Sequence, residues 1–379
     1  LRLKCAANFG TFCMRILIIG AGPCGLGAAH RLQELGHTDF AVYDRHPYVG
    51  GLATSFVDAR GFTWDLAVHV AHSHYHYVDR LMADLLPDGF LHHIRKSWVR
   101  EYGAFIPYPF QNNIRHLPPA ARQECVDGLL ALEAQRAAGG ASRTPPRNFR
   151  EWILAMGGEG IAKHFMLPYN RKLWTVDPAE MNATWVGDRV PTVDVQRVIR
   201  NIEEGRDDVA WGPNHTFQFP KAGGTGAIWN ALAARLPAEK IHLSDGLVAL
   251  DPVRREARFA SGAVEHYDWL ISTMPLPRLT ALCGQPTLHT LAGRLRHNHV
   301  YVVGVAAEFP LPAALQDKTW VYCPEDVCPF YRVTPFSLFS PAHVPHPDRQ
   351  CSFLCEISSP GGRPLDPAAL VQPTLDGLR

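Results

Sequence analysis

Four histidines lie close together in the segment DLAVHVAHSHYHYVD, residues 65–79: His69, His72, His74 and His76. Imidazole nitrogens can bind a metal, exchange protons at a catalytic site, or simply hydrogen-bond at the edge of a strand. In a strand, His72, His74 and His76 would share one face, whereas in a helix His69, His72 and His76 would line up. Neither arrangement comes with a nearby carboxylate or thiolate that recommends a closed site, so we expect no metal here.

The nine cysteines are the other residues with obvious chemical potential. CPEDVC (Cys323, Cys328) and CSFLC (Cys351, Cys355) lack the paired CxxC spacing that is typical of zinc sites. A secretory signal is not recognisable in the first thirteen residues, and we interpret the segment before Met14 as an extension. The sequence therefore predicts free thiols in a reducing cytoplasm.

A glycine-rich turn lies near the start of the chain, in RILIIGAGPCGLGAAHRLQELGHTDFAVYD, residues 15–44. An apolar strand over Ile16–Ile19 leads into Gly20-x-Gly22-x-x-Gly25, a helix follows to about Gly36, and a second strand ends at the acid Asp44. Gly20 permits the tight turn, Gly22 lets the backbone approach a pyrophosphate, and Gly25 allows close helix–strand packing. Asp44 can accept hydrogen bonds from a ribose, so the unit predicts a dinucleotide site.

FAD is the favoured dinucleotide. Gly50-Gly51, a few residues after Asp44, resembles the glycine pair that follows the dinucleotide fold in glutathione-reductase-like flavoproteins. LISTMP (270–275) is similar to a later strand of the same proteins, and KAGGTGAIWNALAARLP with LVALDP resembles the return of the chain that completes the domain. These resemblances imply FAD as a resident cofactor.

The bulk composition limits the partners. A hydrophobic content of 46% and a formal net charge of +1 are typical of a globular protein and give no long-range field for nucleic acid or anionic membrane. No run approaches the ~20 apolar residues of a membrane span. An anionic ligand must then be held by a few local arginines.

We expect an α/β fold, in which an FAD-binding Rossmann-like domain of the glutathione-reductase type carries a helical insertion and an antiparallel β-sheet substrate domain. TPPRN (144–148) separates two helical segments, and Asn148 is placed to cap the second. Later segments such as VYVVGVAAEF and QCSFLCEIS alternate like strands. The predicted domains are the first part of the FAD-binding domain at 14–106 (with sheet-domain strands near 91–106), the helical domain at 107–210, the second FAD-binding part at 211–290, and the sheet domain at 291–379.

Several longer stretches resemble UDP-galactopyranose mutases of the eukaryotic type and occur in that family's order. They are PYPFQNNIRHLP (107–118), FMLPYNRKLWTV (165–176), WVGDRV (185–190), WGPNHTFQFPKAGGTGAIW (211–229) and PEDVCPFYRVTPFS (324–337). The resemblance implies an isomerase that interconverts UDP-galactopyranose and UDP-galactofuranose in cell-wall and glycan biosynthesis. It further implies that reduced FAD attacks the anomeric carbon through flavin N5, that NADPH is the reductant, and that UDP-galactose is the substrate; the oligomeric state stays open.

The resemblance also implies roles for individual residues. His69, Arg189 and Arg332 would be catalytic, with His69 beside the flavin and the two arginines on the diphosphate. The implied substrate contacts are Tyr108, Phe110, Gln111, Asn170, Trp174, Arg189, Asn214, Tyr322 and Arg332, and the implied NADPH contacts are His69, Arg95 and Ser97. The implied cofactor contacts are Gly20, Gly22, Cys24, Gly25, Asp44, Gly51, Leu52, Ala67, Val68 and Val248.

Three departures from the family bear on these expectations. Ala67-Val68 stands where the family has a glycine pair, and a β-branched residue is disfavoured at positive φ. Phe339 stands where a tyrosine usually contacts the diphosphate, and the chain stops at Arg379, before a segment that finishes the cofactor site in the family. Two alternatives are therefore kept, an FAD oxidoreductase of the amine or porphyrinogen oxidase type and an inactive mutase-like fragment; the oxidoreductase would have no reason to keep Arg189, Arg332 and PYPFQNN together.

Overall fold

The computed structural model describes residues 14–138, 145–187, 190, 193–209 and 215–379. The chain divides into two compact units. The first unit contains residues 14–56, Ser73–Gly89 and Gly224–Arg296, and the second contains Val57–His72, Phe90–Gly223 and His297–Arg379. Residues 107–210 and nearly all of 291–379, which we expected to form separate helical and sheet domains, fall in the same second unit.

Strands and helices are numbered along the chain. The strands are β1 (Ile16–Ile19), β2 (Phe40–Tyr43), β3 (Ser55–Val57), β4 (Thr63–Asp65), β5 (Phe90–Ile94), β6 (Ser97–Glu101), β7 (Ala104–Pro107), β8 (Thr216–Pro220), β9 (Ile241–His242), β10 (Leu247–Asp251), β11 (Glu256–Phe259), β12 (Val264–His266), β13 (Trp269–Ser272), β14 (Asn298–Ala307), β15 (Trp320–Tyr322), β16 (Arg332–Pro335) and β17 (Cys351–Pro360). The α-helices are α1 (Pro23–Glu34), α2 (His76–Leu85), α3 (Pro119–Ala137), α4 (Phe149–Ile161), α5 (Leu167–Trp174), α6 (Val195–Glu203), α7 (Gly226–Ala233), α8 (Leu276–Leu282), α9 (Pro286–Ala292) and α10 (Val371–Leu378). No α-helix within the described ranges is long and apolar enough to cross a membrane.

The first unit is built on a parallel sheet with the strand order β13-β1-β2-β9. Strands β1 and β2 read ILII and FAVY and are almost wholly buried, as parallel strands covered on both faces require. The predicted strand–helix–strand start is confirmed, and so is the return strand within LISTMP, which pairs with β1. A second, antiparallel sheet of order β10-β11-β12 lies in the same unit.

The second unit is built on a six-stranded sheet of order β14-β17-β16-β15-β6-β7. Its neighbours are antiparallel with one exception, because β15 pairs parallel with β6. The sheet is therefore mixed, whereas the alternating segments predicted an antiparallel one. Strand β17 is buried along nearly its whole length, since the aromatic and aliphatic clusters of this unit pack against it.

A layer of helices completes the second unit. The Asn148 side chain accepts a hydrogen bond from the Glu151 amide at 2.9 Å, so the predicted cap of α4 is confirmed. Helix α4 continues through a π-helical turn (Ala162–Met166) into α5, which carries the LPYNRKLW sequence. Glycines in α3 and α4 let the two helices approach closely: a Cβ on Gly160 would lie 2.4 Å from Cys125 Cα.

Candidate functional site

The glycine turn after β1 has the geometry that a dinucleotide cradle requires. Gly20 has a φ of 111°, which a side chain would strain, and a Cβ on Gly25 would lie 1.8 Å from the Gly20 carbonyl oxygen. The predicted roles of Gly20 in the turn and of Gly25 in close packing are therefore confirmed. Helix α1 begins at Pro23 without a side-chain cap, so its first amide groups remain available to a phosphate.

Gly22 differs from its neighbours in this turn. A Cβ there would meet only the Gly51 backbone, at 3.8 Å, which is an ordinary contact. Packing within the protein therefore does not require glycine at position 22. The requirement that remains is the predicted one, the close approach of a bound pyrophosphate to the backbone.

Asp44, which follows β2, is hydrogen-bonded to the glycine turn that follows β1. Its carboxylate accepts hydrogen bonds from the backbone amides of Ala21 and His46, each at 2.8 Å. These bonds fix the carboxylate at the carboxyl edge of the parallel sheet, and each oxygen keeps a further lone pair for a ribose hydroxyl. Asp44 thus fits the predicted ribose contact and also acts as a brace for the glycine turn.

The remaining predicted cofactor residues of the first unit are Cys24, Gly51, Leu52 and Val248. Gly51 has a φ of 54°, and its Cβ would lie 3.2 Å from Gly22 Cα, so the two glycine turns touch. Cys24 and Leu52 are exposed, as is about half of the Val248 side chain on β10. These placements are compatible with contacts to a long ligand.

In the second unit, four of the predicted substrate residues belong to one row of neighbouring side chains. We call the row Tyr108, Tyr322, Tyr169, Phe165 and Phe110, with the adjoining Gln111, the aromatic line. Tyr108 and Tyr322 pack edge to face with ring centroids 5.3 Å apart. Tyr322 also packs against Tyr169, which stacks on Phe165, and Phe165 stacks on the buried Phe110. Gln111 follows Phe110 in a 3-10 helix and is 1% exposed.

Asn170 and Trp174 are joined on helix α5. The Trp174 indole N–H donates to Asn170 Oδ1 at 3.1 Å, and the Asn170 amide group donates to the Met166 carbonyl at 2.7 Å. The four-residue spacing places both side chains on one face of the helix. Asn170 is thereby fixed in one orientation, which suits the predicted recognition of a substrate.

Arg332 starts strand β16 and is held by Glu356 on the neighbouring strand β17. The guanidinium donates to both carboxylate oxygens of Glu356, at 2.7 Å, and the Tyr331 hydroxyl donates to the same carboxylate. The Glu356 side chain is 1% exposed, whereas that of Arg332 is 24% exposed. Burial alone would lower the pKa of Arg332, but the Glu356 carboxylate outweighs it and the pKa is raised. The arginine is therefore a permanent, oriented cation on a side chain that is partly exposed.

The charge of Arg332 affects the pKa of Tyr169, a member of the aromatic line. Burial raises the pKa of Tyr169, the neighbouring Tyr322 raises it further, and Arg332 opposes both. Burial likewise raises the pKa of Tyr108, with Arg95 opposing. These phenols stay protonated at neutral pH and can donate hydrogen bonds.

The charges of Glu356 and Arg332 both act on the pKa of His69. Burial lowers its pKa, a hydrogen bond to the Ala67 backbone raises it, and Glu356 and Arg332 then act in opposite directions. The imidazole therefore favours the neutral form. His69 is itself exposed, as are His72, His74 and His76, and no group of three His, Cys, Asp or Glu side chains in the described part of the chain could hold a metal ion.

Ala67-Val68 lies in the segment where the resemblance has a glycine pair. Neither residue has a positive φ, and Val68 packs against an aromatic cluster that includes Phe217 and Trp320. The segment thus adopts an ordinary backbone, and the partly buried valine side chain packs against the aromatic cluster.

Two of the three residues predicted to contact NADPH, Arg95 and Ser97, lie on the β5–β6 stretch. The Arg95 backbone N–H donates to the His215 carbonyl at 2.8 Å, and the Ser97 carbonyl accepts from the Tyr108 backbone at 3.0 Å. Ser97 is 7% exposed, and its hydroxyl has no hydrogen-bond partner among the residues that the structure describes. An unpaired hydroxyl of this kind can bind a ligand.

Two predicted residues, Arg189 and Asn214, lie outside the described residues. Phe339 is 1% exposed and packs in the aromatic cluster parallel to Trp320, while its carbonyl accepts a hydrogen bond from His93 at 2.9 Å. The side chain at this position therefore contributes to the hydrophobic core of the second unit.

Three residues that sequence reasoning missed take part in the site: Tyr169, Tyr331 and Glu356. Glu356 had a usable signal, because CSFLCEIS contains one acid in an otherwise apolar or small buried strand, and a buried carboxylate needs a cationic partner. Tyr169 and Tyr331 had none beyond their position next to predicted residues.

The chain is similar in sequence and fold to several known proteins. The profile of the NAD(P)-binding Rossmann-like domain matches residues 18–85. A crystal structure of a reduced UDP-galactopyranose mutase is 41% identical, with a TM-score of 0.90, and the match covers 96% of this chain and 77% of that one. A probable UDP-galactopyranose mutase of Klebsiella pneumoniae is 26% identical over 56% of this chain. A probable zeta-carotene desaturase of Synechococcus elongatus is 39% identical over 21% of this chain, or 85 residues. The chain spans 51% of that mutase and 18% of that desaturase.

Proposed function

This chain belongs to the UDP-galactopyranose mutase family, and we propose that it interconverts UDP-galactopyranose and UDP-galactofuranose with FAD as its cofactor. The crystal structure that it matches over 96% of its length is that of a reduced mutase. We further propose that the chain works with reduced FAD and that NADPH is the reductant.

The observation that carries the proposal is the Arg332–Glu356 pair beside the aromatic line. A nucleotide-sugar substrate has a base that stacks, a sugar that hydrogen-bonds and a diphosphate that needs fixed positive charge. Tyr108, Tyr322 and Asn170 provide the first two kinds of contact, and Arg332 provides the third. An oxidase acting on an amine would have no use for an oriented guanidinium in this place.

The residues of the first unit fit FAD. The uncapped start of α1 and the turn at Gly22 suit a pyrophosphate, and Asp44 keeps lone pairs for a ribose. When bound, reduced FAD would supply the nucleophile for the anomeric carbon. The protein's own part is to bind the diphosphate through Arg332, to hold the sugar beside Asn170 and Trp174, and to keep His69 as a neutral hydrogen-bonding group.

Conversion of UDP-galactofuranose to UDP-galactopyranose by FAD-loaded protein tests the proposal. We expect conversion after reduction with dithionite or NADPH, none with oxidised flavin, and no NADPH consumption in proportion to product. Consumption of NADPH for each substrate molecule would instead indicate an oxidoreductase, and absence of conversion by the reduced, FAD-loaded protein would contradict the proposal.

The kcat/KM values of two arginine variants test whether Arg332 contributes to the reaction. Arg332→Ala should lower kcat/KM by about 100-fold or more, since a charged hydrogen bond of ~1.5–3 kcal/mol is lost and Glu356 is left unpaired. Arg363→Ala is the matched control, because Arg363 is an exposed arginine of the same unit that pairs with no carboxylate in the described residues. Equal losses in both variants would show that the effect of Arg332 is not local.

A further inference from the structure

Three of the proposed substrate residues lie together in the sequence: Tyr108, Phe110 and Gln111. We call residues 108–113, which include the 3-10 helix Phe110–Asn112, the substrate turn. The turn is held at its start, because the Tyr108 backbone N–H donates to the Ser97 carbonyl at 3.0 Å. At its end lies Asn113, which is 0% exposed and has no assigned part in the proposed reaction. Since Asn113 is fully buried, any contribution it makes to substrate binding must pass through the turn.

Asn113 uses both the donor and the acceptor of its side-chain amide. Nδ2 donates to the carbonyl oxygens of Pro109 and Asp208, each at 2.9 Å, and Oδ1 accepts from the Asp208 backbone N–H at 2.8 Å. The two bonds with Asp208 form a closed pair, as two peptide groups do in an antiparallel sheet. The bond to Pro109 reaches back into the turn, between two of the proposed substrate residues. Asn113 therefore joins the substrate turn to a backbone segment that lies 95 residues further along the chain.

The Asp208 carboxylate adds a second link to the same turn. One oxygen accepts from Asn112 Nδ2 at 3.1 Å, and the other accepts from Arg197 Nη2 of helix α6 at 2.6 Å. The Asp208 side chain is 9% exposed, and Arg197 supplies the opposite charge that a carboxylate in this position needs. The segment after α6 thus contacts both asparagines of the QNN sequence.

Asp207 continues this contact just beyond the turn. Its Oδ1 atom accepts from Arg115 Nε at 2.7 Å and from His116 Nε2 at 2.8 Å. These three side chains are about one-quarter to one-third exposed, so their ion pairs are screened by water and contribute less than the buried bonds. A buried polar network whose members are all paired holds a segment rigidly. The bonds of Asn113 and Asp208 are therefore the ones on which the conformation of the turn depends most.

We propose that Asn113 and Asp208 are positioning residues for the nucleotide part of the substrate, an inference that rests on the proposed function. Together they hold the backbone that carries Tyr108 and Gln111. A turn without these bonds would have to be ordered when the nucleotide binds, and this ordering would weaken binding. Because the nucleotide is not the reacting part of the substrate, the ground state and the transition state should lose the same binding energy. The KM should then rise while kcat stays close to that of the parent.

Calorimetric titration of the FAD-loaded full chain with UDP tests the proposal, together with kcat and KM of the reduced protein for UDP-galactofuranose. We expect Asn113→Ala to raise the Kd for UDP roughly tenfold, as the loss of buried hydrogen bonds does, with an unchanged stoichiometry. The KM should rise by a similar factor, and kcat should stay within about twofold of the parent. A role in folding alone would lower the stoichiometry and kcat of a preparation and leave the Kd unchanged, and that result would overturn the proposal.

Asn148→Ala is the matched control, because it removes a side-chain amide hydrogen bond of the same unit at the start of α4. It should lower the thermal midpoint by a few degrees and leave the Kd for UDP unchanged. An equal rise of the Kd in Asn148→Ala and Asn113→Ala would overturn the proposal, since the effect would then follow stability and not the turn.

A second set of variants keeps the fully buried Asn113 in place. Asp208→Ala should also raise the Kd for UDP, by a smaller factor, because its backbone bonds with Asn113 remain. The double variant with Asn112→Ala should bind UDP no more weakly than Asp208→Ala alone, since both changes remove the same bond. Parent-like Kd values in these variants and in Asn113→Ala would overturn this inference alone. A parent protein that does not bind UDP would contradict the proposed function as well.

Discussion

At the scale of single residues, Glu356 determines what Arg332 can do. A guanidinium that faced only a bound diphosphate would be free to rotate before the ligand arrived. The bidentate contact with Glu356 fixes the plane of the guanidinium, while 24% of the Arg332 side chain stays exposed. The arginine is in this way preorganised for a ligand, at the energetic cost of burying a carboxylate.

Replacing Glu356 should therefore destabilise the folded protein. We expect Glu356→Gln to lower the free energy of unfolding by about 3 kcal/mol, because the buried part of Arg332 loses its charged partner. Urea denaturation of the two proteins measures this. Glu204→Gln, which removes one carboxylate of an exposed pair with Arg206, should cost less than about 1 kcal/mol. Equal costs for the two variants would show that the Arg332 pair behaves as a surface ion pair.

A second prediction separates cofactor binding from folding at Gly22. The space around Gly22 accepts a methyl group, so Gly22→Ala should leave the free energy of unfolding of the FAD-free protein within about 1 kcal/mol of the parent. The same methyl group would meet a bound pyrophosphate, so the flavin content of the purified variant should fall well below that of the parent. Absorbance at the flavin band and urea denaturation measure the two effects.

Gly27→Ala is the control for this prediction, because nothing lies within 4 Å of its added Cβ in the middle of α1. It should keep both flavin and stability. Normal flavin content in Gly22→Ala would contradict the proposal that the backbone at Gly22 lies close to the bound pyrophosphate.

The residues of the site differ in how far the sequence could predict them. Gly20, Gly25 and Asn148 could be predicted because each depends on a local requirement: a positive φ, a close backbone contact, or a cap within one helical turn. Glu356, Tyr331 and Tyr169 depend on which strand lies next to β16 and which helix packs over it. No short-range pattern encodes that information.

At the scale of elements, the same distinction holds for the strands. The limits of β1 and β2, with a helix between them, followed from the pattern of apolar residues and glycines, whereas the return strand β13 was expected from the resemblance of LISTMP to other flavoproteins. The parallel pairing of β15 with β6 followed from neither, because it joins segments more than 200 residues apart and the alternation in each strand is compatible with either direction. Helix α4 and its continuation through the π-helical turn were predicted as one helical segment, but the turn itself was not.

Close packing of α3 on α4 gives a prediction at this scale. A methyl group at Gly160 would lie 2.4 Å from both Cys125 Cα and the Glu124 carbonyl oxygen, which are backbone atoms that cannot move alone. We expect Gly160→Ala to lower the free energy of unfolding by at least about 2 kcal/mol, as overpacking does, despite the higher helix propensity of alanine. Thermal unfolding checks this, and a stabilised Gly160→Ala variant would contradict the helix packing described here.

At the scale of the whole molecule, one buried carboxyl group should leave a mark on the pH dependence of stability. Burial raises the pKa of Glu101 to about 8, Glu325 raises it as well, and Lys172 opposes both. The unfolded chain releases this proton near pH 4.5, so between pH 4.5 and 8 the native state binds more protons than the unfolded state. The contribution of Glu101 is therefore fully present below pH 4.5 and is lost as the pH rises to 8.

His343 has the opposite effect in part of this range, since burial lowers its pKa to about 4 and its stabilising contribution is lost as the pH falls from 6.5. The difference between the parent and Glu101→Gln isolates the carboxyl group. We expect the free energy of unfolding of the parent to fall relative to that of Glu101→Gln by about 1–4 kcal/mol between pH 4.5 and 8. Parallel curves for the two proteins would mean that Glu101 ionises normally.

The register of the parallel sheet also governs how the protein can be made. Ile16 of β1 pairs with Trp269 of β13, so about 250 residues must leave the ribosome before the strand has both neighbours. At typical rates of synthesis this takes on the order of 10–50 s. Throughout that interval ILII would be an edge strand with an open hydrogen-bonding side, the kind of segment that chaperones shield. A nascent chain of this protein thus depends on protection of its first strand until β13, which lies in the last third of the sequence, has been translated.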